Sequence, residues 1–175
     1  MDYRVELQRP RSKAIIAGIV QHIGADADRF AQLMALVRDS DPRLSELASW
    51  PMSVACNEHP ELGIPWTKLM VDLLHRPVHT AIHRNVLRSL QFCPIPERFH
   101  GRLTDFLFRA IPDPQRTIAV RAFGITVAMR LVRAHPALAP EFRLLLEESL
   151  RVDPGPAIRS RAKRTLKELA RMQAR

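Results

Sequence analysis

The chain has 175 residues, 46% of them apolar and 6% aromatic, which is enough for one domain with a buried core that needs no disulfide or metal to fold. Its net charge of +9, from 27 Lys and Arg against 18 Asp and Glu, favours anionic partners at long range. The longest apolar run, residues 14 to 20, is too short for a membrane span of about 20 residues, and residues 1 to 13 lack a secretory leader pattern, so we expect a cytoplasmic protein.

A dipeptide of Asp or Arg followed by Pro recurs along the chain at intervals of 32, 35, 37 and 40 residues. Its five copies are Arg9-Pro10, Asp41-Pro42, Arg76-Pro77, Asp113-Pro114 and Asp153-Pro154. Proline fits the first turn of a helix and disfavours helix in the residue before it, so each copy predicts the end of one helix and the start of the next. The fourth or fifth residue after each proline is apolar, which predicts the same register for all five starts.

A second helix is predicted in each complete unit, after a break rich in Gly, Pro or Asp. Apolar residues three and four positions apart mark its buried face, namely Phe30, Leu33, Leu36 and Val37, then Phe99, Leu103, Phe106 and Leu107, then Phe142, Leu145 and Leu146. Few glycines and much Leu, Ala and Arg predict an all-α fold of about four helix pairs plus a C-terminal helix. We expect a single domain over residues 1–175, with units that start near residues 9, 41, 76, 113 and 153.

Two of the predicted helices have distinctive features. Residues 116–134 are apolar nearly all round, which predicts the most buried helix of the chain. Trp50-Pro51 falls inside a helix and predicts a kink, because an interior proline costs about 3 kcal/mol when the helix stays straight.

The repeated turns and a column of arginines resemble the HEAT-repeat family, an α-α superhelix class, over residues 9 to 170. The column consists of Arg84, Arg121 and Arg161, each seven residues after the proline of its unit. The resemblance implies a solenoid in which the helix after each turn lines a concave, partner-binding surface. The chain is similar to small bacterial HEAT-like proteins without known activity. The arginine column either ties neighbouring repeats together or faces a partner.

Three histidines suggest a metal site at first sight. His75, His79 and His83 lie four residues apart, the spacing at which one continuous helix presents imidazoles to a metal ion. However, Pro77 separates His75 from the helix of the other two, and Thr80 occupies the place of the glutamate that a metalloprotease helix needs. We therefore expect a polar helix end there and no metal.

Other catalytic patterns are equally weak. Cys56 and His59 are three residues apart with no group to orient the histidine, and Cys56 and Cys93 occupy similar places in successive repeats, so we expect reduced core thiols. A resemblance to the HEAT-like DNA alkylation-repair glycosylases would imply a groove tryptophan with an acidic residue one turn later, but Val54 follows Trp50 and Met70 follows Trp66 at that position. The chain also lacks a Gly-rich phosphate loop and a nucleophile elbow, so we expect no enzyme and no cofactor.

Basic charge on the helices after the turns is the strongest functional signal. Residues 151–175 alone hold eight basic and two acidic side chains, which is +6 of the net charge of +9. The candidate binding residues on these helices are His79, His83, Arg84, Arg88, Arg130, Arg133, Arg159, Lys163, Arg164 and Lys167. We expect a non-catalytic scaffold or adaptor that binds a protein partner through its concave face, where these cations can accommodate an acidic protein. The alternative is sequence-nonspecific binding of a DNA or RNA backbone, and the basic C-terminus also suits a polar cap of a solenoid.

Overall fold

The structure, a computed structural model, describes residues 1–152 and 155–173. In these ranges the ten α-helices are α1 (Tyr3–Gln8), α2 (Lys13–Ile23), α3 (Ala27–Val37), α4 (Pro42–Glu58), α5 (Thr67–Leu74), α6 (Thr80–Leu90), α7 (His100–Ala110), α8 (Ile118–Ala134), α9 (Ala139–Val152) and α10 (Pro156–Gln173). Short 3-10 segments precede three of them, at Pro60–Trp66, Glu97–Phe99 and Pro136–Leu138. The described residues contain no β-strand, so the all-α prediction is confirmed. The fifth dipeptide, Asp153-Pro154, lies outside the described residues.

Polar N-caps, more than the prolines, set where the helices begin. α4 begins at Pro42 as predicted, with the side chain of Asp41 accepting the N–H of Arg43 at 2.9 Å. Three other helices begin three or four residues after their prolines, behind the N-cap residues Ser12, His79 and Thr117. The prediction of a proline in the first turn is therefore wrong at these three turns. The first N–H groups of a helix have no acceptor within the helix, and the side chain of the N-cap residue accepts one of them, which a proline side chain cannot do.

Among consecutive helices, the most extensive contacts are those of α3 with α4, α5 with α6, α7 with α8 and α9 with α10. The first three of these pairs are joined by the turns at Asp41-Pro42, Arg76-Pro77 and Asp113-Pro114. Each of these turns therefore lies inside a tightly packed pair, whereas the sequence pattern placed it at the start of a unit. Helices after the turns also contact one another, α2 with α4 and α4 with α6 near the N-terminus, and α8 with α10 near the C-terminus. We call the first of these sets, α2, α4 and α6, the N-terminal row.

Three of these pairs share one kind of hydrogen bond. A buried side chain near the start of the second helix donates to a carbonyl at the end of the first helix: Ser45 Oγ to Val37 O at 2.6 Å, His83 Nε2 to Leu73 O at 3.1 Å, and Arg121 Nε to Ile111 O at 2.7 Å. The last carbonyls of a helix have no partner within the helix, and these side chains donate to three such groups. Leu73 O also accepts the N–H of Arg76, and Ile111 O also accepts the hydroxyl of Ser149.

Burial is greatest where a helix has neighbours on several sides. α8 buries ten of its 17 residues, and α4 also buries ten of 17. The prediction that residues 116–134 form the most buried helix is therefore wrong, because α4 equals α8 and α6 buries a larger share, eight of its 11 residues. α4 remains one α-helix through Pro51, and the kink stays a prediction.

The chain divides into two compact units, Met1–Phe99 and His100–Arg175. The first unit contains α1 to α6 and has a core that includes Met34 and Leu87. The second contains α7 to α10 and has a core that includes Ile125 and Phe142. The single domain over residues 1–175 stays a prediction. Among the described residues, no helix combines the length and the hydropathy needed to cross a membrane.

Candidate partner-binding surface

Four of the predicted binding residues lie on or beside α6, in different surroundings. His79 is the N-cap of α6, and its Nδ1 accepts a backbone N–H of the first turn at 3.3 Å. His83 is only 5% exposed and donates to the carbonyl at the end of α5, so it belongs to the core and not to a binding surface. Arg84 is exposed and Arg88 is half-buried, one helical turn apart on the same face of α6.

The three histidines of the suspected metal motif are not assembled into a site. His75 is exposed at the C-terminal end of α5, His79 caps α6, and the Nε2 of His83 is used by the core hydrogen bond. Within residues 1–152 and 155–173, no group of three or more His, Cys, Asp or Glu side chains could hold a metal ion.

The arginine column has no common role. Arg84 is exposed on α6, whereas Arg121 is 1% exposed and donates to the end of α7. Arg161 is intermediate: its guanidinium stacks on the ring of Phe123 at 5.2 Å and donates to the hydroxyl of Thr126. Burial, and then the charge of Arg164, lower the pKa of Arg161. The column is therefore structural at Arg121 and open to a partner at Arg84.

The remaining predicted residues lie on α8 and α10 in the second unit. Arg130 is half-buried, and Arg133 forms an ion pair with Glu168 at 2.6 Å. The other four are exposed along α10: Arg159, Lys163, Arg164 and Lys167. Because residues four apart share a helix face, three of these cations form one stripe along α10.

A groove of about 540 Å³ opens along α2 and α4 in the first unit, with α6 at its side. Its apolar lining consists of Ile16, Ala17, Val20, Trp50 and Val54. Trp50 and Val54 are half-buried and lie one turn apart on α4, while Ala17 is exposed on α2. The groove thus offers a partner an apolar strip on two adjacent helices.

Polar side chains border this apolar strip. They are Lys13 and Gln21 of α2, Glu58 of α4 and Arg88 of α6. Arg88 is the one predicted binding residue in the lining of the groove. No ion pair joins Lys13, Glu58 or Arg88 to another of the described residues, so the three charges are available to a partner.

Glu46 contacts residues at or near the N-terminal ends of α2, α4 and α6, the three helices of the N-terminal row. The carboxylate of Glu46 on α4 contacts Arg11, just before α2, and Arg43, each at 2.7 Å, and lies 3.8 Å from Nδ1 of His79 at the start of α6. Burial raises the pKa of Glu46, but the hydrogen bonds from the two arginines outweigh it and leave the pKa below its ordinary value. The contact of Arg11 places the nearby Lys13 at this end of the groove.

The two cysteines lie together in the core of the first unit. Cys56 and Cys93 are both fully buried free thiols, and a Cβ added to Gly63 would lie 2.4 Å from the Cys93 Sγ. A hydrogen bond with Cys93 and burial both raise the pKa of Cys56. His59, which the sequence places three residues from Cys56, has its Nδ1 3.5 Å from Oε1 of Glu61. Cys56 is therefore held as a thiol. Cys93 follows α6 and does not lie inside a helix as the sequence pattern indicated.

Sequence reasoning missed most of the groove. The sequence patterns that involve Trp50 predict a helix kink at Pro51 and exclude a glycosylase pair with Val54, and neither pattern indicates a groove. The available signal was the four-residue spacing of Trp50, Val54 and Glu58, which places one aromatic, one aliphatic and one acidic side chain on the same face of α4. That spacing does not reveal that α2 and α6 flank this face.

Helix pairs closed by turns, a repeated side-chain-to-carbonyl hydrogen bond and a row formed by the helices after the turns define an α-helical repeat protein. The family model described as HEAT repeat domain matches residues 3–169. The chain therefore belongs to the HEAT repeat domain family, which confirms the resemblance and the α-α superhelix class. Searches of curated proteins and of solved structures found no match.

Proposed function

We propose that this protein is a non-catalytic helical-repeat scaffold or adaptor that binds another protein along the N-terminal row. The groove carries the proposal, because a half-buried Trp50 in an apolar strip with Arg88 beside it has the composition of an interface hot spot. HEAT repeats typically mediate protein interactions, which supports the same function. A cytoplasmic location belongs to this proposal.

The proposed surface differs in part from the predicted set of residues. It contains Trp50, Arg84 and Arg88 and leaves out His83, which is buried. Arg88 borders the groove, and Arg84 extends the same face of α6 by one turn. His79 sits beside Glu46 at the N-terminal end of the row.

Partner capture with matched variants tests this function. The unmodified chain, Trp50→Ala and a combined Arg84→Ala and Arg88→Ala variant would be used to capture proteins from extracts of the source cells, with quantification by mass spectrometry. Arg38→Ala is the control, because Arg38 is exposed at the end of α3 and does not line the groove. We expect the same partner to be depleted about tenfold by both groove variants and retained by the control. Retention by all variants, with unchanged thermal unfolding, would contradict the proposed surface.

Nucleic-acid backbone binding is the second candidate, and the exposed basic stripe of α10 favours it. Arg159, Lys163 and Lys167 share one face, with Arg164 beside them. Regularly spaced cations of this kind neutralise phosphates without reading sequence.

Fluorescence anisotropy with a labelled duplex of about 20 base pairs and a matched single strand tests the second candidate. If α10 binds the backbone, the logarithm of affinity should fall with the logarithm of salt concentration by about 0.9 per phosphate contact on the duplex. A Lys163→Glu and Lys167→Glu variant should then bind more weakly and with a smaller slope. Absence of binding at low salt would leave the stripe as the polar outer face of a terminal helix.

A further inference from the structure

The groove has the dimensions of a site for a segment of chain. Its volume of about 540 Å³ is within the range of pockets that enclose one short ligand, roughly 300 to 1,000 Å³. From Trp50 to Glu58 the lining advances eight residues along α4, which is about 12 Å at 1.5 Å per residue. This length accommodates one bulky side chain and a few flanking residues.

The apolar strip is held in place before any partner arrives. α4 is packed by α2, α3 and α6, and the residues on either side of Trp50, Ser49 and Pro51, are both buried. Asn85 of α6 donates to Ser49 Oγ at 2.8 Å, which fixes α6 against α4 one residue before Trp50. A partner therefore meets a fixed aromatic surface, and little freedom is lost on this side of the interface.

The charges around the strip differ along its length. The contact between Arg11 and Glu46 sets Lys13 at the N-terminal end of the row, while Glu58 lies at the last residue of α4. Because Asn85 lies level with Ser49, Arg88 three residues later lies level with the part of α4 between Trp50 and Val54. A partner thus meets one cation at one end, a second cation beside the strip and a carboxylate at the far end.

This arrangement selects carboxylates beside an apolar anchor. A basic segment would place its charges against Lys13 and Arg88, whereas an acidic one would pair with both. A nucleic-acid backbone fits less well, because its phosphates would lose water against an apolar strip and would face Glu58. From the proposed adaptor function, on which this step rests, we infer that the groove binds an acidic segment of a partner protein through one bulky apolar side chain against Trp50, with carboxylates toward Lys13 and Arg88.

Peptide selection tests this chemistry. A phage library of random 16-residue peptides would be selected on the full chain, with peptides that also bind Trp50→Ala removed. We expect the remaining peptides to combine net negative charge with a bulky apolar residue. Their affinities, measured by anisotropy, should fall at least about tenfold for Lys13→Glu and for Arg88→Glu and remain unchanged for Arg38→Glu. If Trp50→Ala folds poorly, Trp50→Phe replaces it in the comparison. Because phenylalanine keeps an aromatic ring, this variant should retain most of the binding.

The outcomes of the selection distinguish the acidic specificity of the groove from the proposed adaptor function on which it rests. Basic or neutral peptides that depend on Trp50 would overturn the acidic specificity and leave the groove as a binding surface. Acidic peptides with equal affinity for Arg88→Glu would also overturn it. A selection with no peptide that depends on Trp50 would overturn the inference, and partner capture that is unaffected by Trp50→Ala would then remove the proposed surface as well.

Discussion

Arg121 offers a test of whether the arginine column is structural. The side chain is 1% exposed, and its Nε donates to the carbonyl of Ile111 at 2.7 Å, at the end of α7. Arg121→Ala removes a charged hydrogen bond to a buried carbonyl, worth about 1.5 to 3 kcal/mol. It also removes two buried methylene groups, at about 0.8 kcal/mol each. The expected loss in the free energy of unfolding is about 3 to 5 kcal/mol.

Urea denaturation followed by circular dichroism measures this loss, with Arg84→Ala as the matched control. Arg84 occupies the same column position but is exposed, so its replacement should change the free energy of unfolding by at most about 0.5 kcal/mol. Arg121→Met, which keeps the aliphatic volume and removes the buried charge, should recover a large part of the loss. Equal effects of the two alanine variants would refute the assignment of Arg121 to the core.

Three further predictions concern other parts of the chain. Gly63→Ala should lower the free energy of unfolding in urea by about 1 to 3 kcal/mol, because the new Cβ would lie 2.4 Å from Cys93 Sγ. Adding Cys93→Ala should restore most of the lost free energy. An unchanged stability of Gly63→Ala would contradict the close packing. The lowered pKa of Glu46 means that its carboxylate stabilises the fold above the ordinary pKa of about 4.3 and that this contribution is lost as the pH falls through the folded pKa. Glu46→Gln should therefore lose less stability than the wild type on acidification, and parallel pH profiles would exclude this role. The exposed pair of Arg133 and Glu168 should couple by at most about 1 kcal/mol in a double-mutant cycle, and a coupling above 2 kcal/mol would be inconsistent with its exposure.

The sequence predicts which segments are helical because helix-breaking residues act locally, although α2, α6 and α8 begin three or four residues beyond their prolines. Proline and the residue before it restrict their own backbone, so Asp41-Pro42 marks the start of α4 directly. α1 is not predicted from the dipeptides because its six residues precede the first of them. Its N-cap, Asp2, is a single residue and gives too little signal to mark the helix. The packing of helices in pairs depends on which faces meet, and the dipeptides do not encode that choice.

The candidate surface was harder to predict because exposure depends on the neighbouring helix. His83 and Arg84 are adjacent and both polar, yet one is buried against the end of α5 and the other faces outward. A helix turns by about 100° per residue, so one step in sequence moves a side chain from the core to the surface. Trp50 shows the opposite difference between expected and observed exposure. Its residue type indicates a core position, but the side chain is half-buried in the groove.

The central claim is that a protein partner contacts the groove of the N-terminal row, and site-specific photo-crosslinking tests it most directly. A photo-reactive amino acid would be incorporated in place of Ala17 in the groove and, as the control, in place of Ala35, which is exposed on α3. Irradiation in the source cells should give a discrete partner adduct from position 17 and none from position 35. An adduct from position 35 alone, or equal adducts from both, would contradict the proposed binding surface.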